Sequence, residues 1–179
     1  MKEQIREILR HRKKEEITGA NLKASAVLIP IFYNQGQYRI LFTERSDEVV
    51  FHKGQVCFPG GTREPSDSSL LQTALREAEE EIGLEAKDIE ILGELDDMLT
   101  FVTSYVISPF VAFIPYPHSL KTNGREVKGA FSVPLSFLMD EANFKQDSYA
   151  YEYEGHIIWG ATARILRQLI DLLKPESGA

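Results

Sequence analysis

Phe58-Pro59-Gly60-Gly61 and, further on, Arg76-Glu77-Ala78-Glu79-Glu80-Glu81-Ile82-Gly83-Leu84 decide how this chain reads. The first is a tight glycine turn, and the second is a helix with a surplus of carboxylates on one side. At roughly 100° per residue, Glu77, Glu80 and Glu81 lie at i, i+3 and i+4 and share a single arc. Leu71, Ala74, Leu75, Ala78 and Ile82 form a separate apolar stripe suited to a core, while Glu79 projects to the side. Clustered like charges destabilise a helix unless a cation sits among them. These also fall near the helix C-terminus, where Gly83 is placed to end it and carboxylates oppose the dipole. An oxygen-only ligand set suits a hard divalent cation, Mg²⁺ or Mn²⁺. A solvated acidic face is the plain alternative. Gly60 and Gly61, whose backbone can approach a ligand closely, tip the balance toward a metal site.

Working outward, the pattern predicts mixed strands and helices. Ile5, Ile8 and Leu9 give residues 1–17 a short helical stripe, a helix lying on the domain. Ala24 to Asn34 and Gln37 to Thr43 read as a hairpin around Asn34-Gln35-Gly36. The central helix spans 68–83. Ile89 to Leu95 and Val102 to Ile114 supply further strands, the second stopped by Pro115-Tyr116-Pro117. Val133-Pro134-Leu135 begins a short helix, Tyr149 to Trp159 reads as a hairpin around Glu154-Gly155, and Ala161 to Leu173 is a final helix. This arrangement predicts an α/β sandwich in one domain over 1–179, with 1–23 as a helical N-terminal extension.

Composition excludes several classes. The 179 residues carry 27 acidic against 20 basic side chains, a net charge of −7, which argues against a broad nucleic-acid surface. No apolar run is long enough to span a membrane, and no signal peptide is evident. Cys57 is the only cysteine, so an intrachain disulfide is excluded and a reducing, cytoplasmic setting is expected. It reads as a buried strand residue. His118 and His156 share no ligand spacing with each other or with Cys57, which speaks against zinc.

Arg76 through Leu84 resemble the second half of the box of the Nudix hydrolase family, G-x5-E-x7-R-E-U-x-E-E-x-G-U, where U is a bulky aliphatic residue. Ala78 is smaller than usual at the first U. The first half departs: Ser68 stands where the pattern has Glu, and Gly61 lies one residue too far upstream. A one-residue insertion, with Asp67 or Glu64 nearby, reconciles the two. Within the family, Leu41-Phe42-Thr43-Glu44-Arg45-Ser46 and His52-Lys53-Gly54-Gln55-Val56-Cys57-Phe58-Pro59-Gly60-Gly61 resemble the coenzyme A pyrophosphatase group. So do Tyr151 to Tyr153 and Ile158-Trp159-Gly160-Ala161-Thr162-Ala163-Arg164. One departure is Val50, where that group commonly has Arg, the residue for bidentate phosphate recognition.

The resemblance implies a Nudix-type α/β/α sandwich with a mixed sheet and metal-dependent hydrolysis of a pyrophosphate bond. Coenzyme A or its derivatives are the implied substrate, with an ADP-sugar, a dinucleoside polyphosphate or an oxidised nucleotide as alternatives. A non-catalytic nucleotide-binding module on the same fold is a further alternative, against which the intact acid trio speaks. Glu77, Glu80 and Glu81 are then the metal ligands, with the carbonyl of Gly60 or Gly61 and Glu126 as further ones, a solvated loop acid being the alternative for Glu126. The catalytic set is Glu77, Glu80 and Arg76, Arg76 serving as an orienting ion-pair partner. Arg45, His52, Lys53 and Gln55 are the candidate substrate contacts. Trp159 and Tyr151 suit either packing or stacking on an adenine. The implied partner is a small nucleotide, coenzyme A-like, with no nucleic acid and no membrane. Homodimers are frequent among relatives.

Overall fold

The structure, a computed structural model, describes residues 1–46, 54–100, 104–116 and 120–174. In chain order its elements are α1 (Lys2–His11), β1 (Lys23–Asn34), β2 (Gln37–Arg45), β3 (Val56–Cys57), β4 (Gly60–Thr62) and α2 (Leu70–Ile82). There follow β5 (Glu90–Glu94), β6 (Met98–Thr100), β7 (Tyr105–Phe113), β8 (Val127–Pro134) and α3 (Leu135–Met139). The chain closes with β9 (Phe144–Lys145), β10 (Ala150–Tyr153), β11 (His156–Ile158) and α4 (Gly160–Leu173).

Eight of these strands make one sheet, in which β3, β2, β1, β7 and β5 lie side by side. β1 runs parallel to β7, and the other pairings are antiparallel, so the sheet is mixed. β9, β10 and β11 form a small second sheet. The near-continuous apolar run of β1 reflects burial on both faces. Ile29 and Ile31 point into one cluster with Ile40, Phe42 and Val111, beneath Ile5 and Leu9 of α1 and Leu166, Leu169 and Ile170 of α4. Ala26, Leu28 and Phe32 point the other way, with Leu41, Phe110 and Ala112, against Ala74, Ala78 and Ile82 of α2. Alternation along the strands thus produces the α/β/α sandwich expected from sequence. Lys2 and Arg6 of α1 pair with Glu90 at the start of β5, and Arg12 pairs with Asp96, tying the N-terminal segment to the sheet.

Four strands lie outside the sequence expectations: β4, β6, β8 and the two-residue β9. β4 is made of two glycines and a threonine, which carry no apolar alternation. β6 pairs with β7, which itself begins only at Tyr105. β8 includes Gly129 and ends on Pro134, and only its last residues were read, as the lead into α3. The hairpins fell where expected, with Gln35-Gly36 and Glu154-Gly155 at positive φ in two-residue loops.

One detail of the sheet positions the site. β7 follows one edge of β1 from Lys23 to Ile31, leaving the other edge to β2 at Ile31–Asn34 and to β4 at Ser25–Val27. The segment from Val56 to Thr62 therefore crosses from β2 to β1, its first residues pairing with Thr43 and Glu44 and its last with β1. Phe58-Pro59-Gly60-Gly61 is the crossing, and it lies against α2.

Candidate active site

α2 begins at Ser69, whose hydroxyl accepts the Gln72 N–H at 3.1 Å, and ends at Gly83 in the left-handed region, φ 70°. A helix end leaves carbonyls without intrahelical donors. Here the Lys121 N–H donates to Ile82 O (3.1 Å) and the Asn123 N–H to Glu81 O (3.1 Å). The side chain of Asn123 then accepts the N–H groups of Glu126 (3.0 Å) and Val127 (3.2 Å). This loop carries Glu126, distant in sequence, to the acidic helix.

The result is a cluster of Glu77, Glu81 and Glu126, with one carboxylate oxygen from each within 4.8 Å of the others. Glu81 is only 2% exposed. Burial pushes its carboxyl up to about 8, against a Gly60 N–H that donates to Oε2 at 3.1 Å and favours the anion. Glu77 is also raised by burial, with Arg76 opposing. Gly61 lies directly against Glu77, where a Cβ on residue 61 would stand 2.3 Å from Oε1. At Gly60 a Cβ would stand 2.3 Å from the carbonyl oxygen of Ala26. Gly60 is demanded by close approach to backbone, whereas at Gly61 a side chain would displace the Glu77 carboxylate. Three converging carboxylates, one buried at electrostatic cost, are the donor set a hard dication fits.

The expected trio on one helix face is therefore divided. Glu77 and Glu81 turn toward the glycine strand. The Glu80 side chain is 55% exposed and turns to Arg76, whose Nη1 lies 3.1 Å from its Oε2. Glu81, placed by spacing on an exposed face, is instead buried beside the apolar stripe, and Leu71 and Leu75 of that stripe are only half-buried. Arg76 is the hub. Its Nε and Nη2 donate to Asp67 Oδ1 (3.0 Å) and Oδ2 (3.1 Å), Nη2 also reaches Thr62 O (3.2 Å), and Nη1 lies 3.0 Å from Glu77 Oε1. Asp67 is buried, accepts further bonds from the Thr73 hydroxyl (2.9 Å) and the Glu64 N–H (2.9 Å), and is held well below the usual carboxylate range by Arg76.

On the other side of Gly60 and Gly61 lies a cavity of about 440 Å³. Arg45, Gln55, Cys57, Leu99, Tyr105, Trp159 and Arg164 line it together with the two glycines. Arg45 has a buried Nε with no hydrogen-bond partner among the described residues. Burial pushes the Cys57 thiol up, and Thr43 Oγ1 lies 3.2 Å from its sulfur. Trp159 is half-exposed, whereas Tyr151 is wholly buried in the core. His52, Lys53, Val50 and His118 lie outside the described residues. His156 stacks on Phe131, ring centroids 3.8 Å apart, away from the acidic cluster.

The NUDIX domain family matches residues 22–152. A Nudix hydrolase named NudL from Photorhabdus laumondii is 38% identical over 159 residues, covering 83% of this chain and 84% of that protein. NudL of Yersinia enterocolitica is 38% identical over 160 residues, 84% of this chain and 81% of its own length. The chain belongs to the Nudix hydrolase family. The fold agrees: the NUDIX domain of Shewanella oneidensis NrtR, complexed with ADP ribose, superposes with a TM-score of 0.61 at 19% identity, covering 88% of this chain and 91% of that one. A C. elegans Ap4A hydrolase superposes with a TM-score of 0.60 at 16% identity, covering 85% and 98%.

The irregular half of the Nudix box now has a physical explanation. Between the two acids that an inserted residue leaves available, Asp67 receives Arg76 through two nitrogens, while the exposed Glu64 lies 4.0 Å from Nη1. Ser68, at the position where the box has Glu, bonds Gln72 instead. An aspartate is one methylene shorter than glutamate, and Asp67 nonetheless reaches both Nε and Nη2 of Arg76. What sequence reading passed over at this Nudix site was the pocket wall: Leu99, Tyr105 and Arg164. Arg164 lies on α4 with no pattern to single it out, Leu99 lies in β6, a strand the sequence does not predict, and Tyr105 lies on a face of β7 that periodicity alone does not reveal.

Proposed function

We propose that this Nudix hydrolase cleaves the pyrophosphate bond of coenzyme A or its derivatives, giving 4′-phosphopantetheine and adenosine 3′,5′-bisphosphate. The observation that carries the reading is the convergence of Glu77, Glu81 and Glu126 on one side of Gly60-Gly61, with an Arg45-lined cavity on the other. Glu77, Glu81 and Glu126 would hold Mg²⁺ or Mn²⁺, with the Gly61 carbonyl as a further oxygen, while Glu80 pairs with Arg76 outside this group. Bound there, the cation supplies charge neutralisation at the pyrophosphate and a lowered pKa for a coordinated water. Arg76 holds Glu77 in place through Asp67 and Thr62. A glutamate of the group takes the proton of the attacking water, which adds to one phosphorus in line with the departing phosphate. Arg45, with His52 and Lys53, grips phosphate oxygens, and Gln55 contacts the nucleotide. Coenzyme A is favoured over other nucleoside diphosphate compounds by the likeness of residues 41–61 to the coenzyme A pyrophosphatase group. The reading includes a single domain over 1–179 and a cytoplasmic setting suited to an unpaired cysteine.

The test is a screen of coenzyme A, dephospho-coenzyme A, ADP-ribose, dinucleoside polyphosphates and oxidised nucleotides with Mg²⁺ or Mn²⁺, with products identified by mass spectrometry. Highest kcat/KM on coenzyme A compounds, with cleavage between the two phosphates, is expected. A higher value on ADP-ribose or a dinucleoside polyphosphate would overturn the substrate assignment.

A further inference from the structure

We propose that Trp159 is the stacking platform for the base of the nucleotide, and so a specificity-determining residue of this cavity; the proposal rests on the site being a nucleoside diphosphate pocket. Trp159 precedes α4 and is 49% exposed, although a ring of that size normally finds a partner surface. It is the chain's single tryptophan, and it lines the cavity that Gly60 and Gly61 also line. Two groups that recognise a planar heteroaromatic ring lie with it. Gln55 is adjacent, since a Cβ on Gly160 would stand 3.7 Å from its Nε2, and its amide offers both donors and an acceptor to a base edge. Arg164 also lines the cavity, its guanidinium lying over the Tyr149 ring with Cζ 5.9 Å from the centroid, a planar cation that stacks as well as donates. Leu99 and Tyr105 also line the cavity, with apolar and aromatic surface.

The chemistry selects between the two halves of the substrate. A flexible, non-aromatic pantetheine arm gains from apolar walls but has no π face to set against an indole. A purine has a π face for Trp159 and edge groups for Gln55. The base then occupies the outer cavity, and the diphosphate extends inward past Arg45 to the glycine strand.

Because Trp159 is the sole tryptophan, its fluorescence reports this site directly, without turnover. In chelator, ADP and adenosine 3′,5′-bisphosphate should quench its emission saturably, and 4′-phosphopantetheine should leave it unchanged. Trp159→Leu should raise KM about tenfold on a hydrolysed substrate with kcat within about twofold, and Trp159→Phe should restore most of the loss. Quenching by phosphopantetheine alone, no quenching by any of the three, or unchanged kinetics in Trp159→Leu would each overturn the proposal. The two readings fail separately. Adenine nucleotides that quench while coenzyme A resists hydrolysis would sink the substrate assignment alone, and coenzyme A hydrolysis indifferent to Trp159→Leu would sink only the platform.

Discussion

Replacing Glu81 by Gln should stabilise the metal-free protein while destroying its activity, and the size of the gain follows from burial. Glu81 is 2% exposed, and its carboxyl is pushed up to about 8 in the folded chain. In the unfolded chain it ionises at its ordinary value of 4.5. Folding therefore takes up a proton at neutral pH, and stability falls as pH rises. The carboxyl's contribution is intact below about pH 4.5 and is lost progressively up to about pH 8. At pH 7 the loss is about 3 kcal/mol, and at pH 5 it is under about 1 kcal/mol. Gln removes this term. Its amide oxygen can still accept the Gly60 N–H, and its amide nitrogen can donate toward Glu77. For a chain of this length about 3 kcal/mol corresponds to a Tm rise of roughly 6–12 °C at pH 7, shrinking to a degree or two at pH 5. Glu77 titrates in the same sense, so the slope is reduced and not abolished. The assay is thermal unfolding in chelator from pH 5 to 8, native against Glu81→Gln, repeated with Mg²⁺. The divalent ion should raise the Tm of the native chain and leave the variant nearly unmoved, while kcat/KM falls at least a hundredfold. Glu79→Gln, on an exposed side chain, should change neither. A Glu81→Gln variant less stable than native in chelator, or a Tm difference that does not change with pH, would refute the reasoning. Equal loss of activity in Glu79→Gln would refute the assignment of the helix faces.

Three further outcomes test other parts of the site. Gly61→Ala places a Cβ 2.3 Å from Glu77 Oε1 and should push that carboxylate out of the cluster, removing most of the activity at a stability cost under about 1 kcal/mol, measured by kcat/KM and chemical denaturation; a variant as active as native would refute the role of this approach. Asp67→Asn removes the charge that orients Arg76, and kcat should fall about tenfold with KM little changed. Its Tm deficit should be present at neutral pH and shrink as pH falls through the depressed value of the native aspartate, because protonation then removes the same contribution from the native chain. At Val50, a chain lacking the arginine expected for phosphate recognition should discriminate weakly between coenzyme A and its 3′-dephospho form. Val50→Arg should restore about a ten- to hundredfold preference in kcat/KM, and a strong native preference left unchanged by the substitution would overturn that role.

Local sequence determined what depends on neighbours along the chain. The period of α2, its cap at Gly83, the two hairpins with positive φ at Gln35-Gly36 and Glu154-Gly155, and the apolar run of β1 are set by residues a few positions apart. They sufficed for the layers of the fold and for the acidic helix, because periodicity and turn chemistry act at short range. Tertiary structure alone decided which carboxylates meet. Spacing put Glu77, Glu80 and Glu81 on one arc, but β4 lies over only part of it. Glu77 and Glu81 are drawn under Gly60-Gly61, and Arg76, anchored by Asp67, draws Glu80 outward. Glu126 joins them because the carbonyls at the end of α2 bind the loop at Lys121 and Asn123, a long-range pairing that no local pattern encodes. β4 and β8 were illegible for a related reason. Their strand state comes from the partners they add to β1 and β2, and their own glycines and proline argue against it. The same holds for Tyr151 and Trp159, eight residues apart across one hairpin yet opposite in fate: the small sheet turns the tyrosine into the core and leaves the indole facing the cavity.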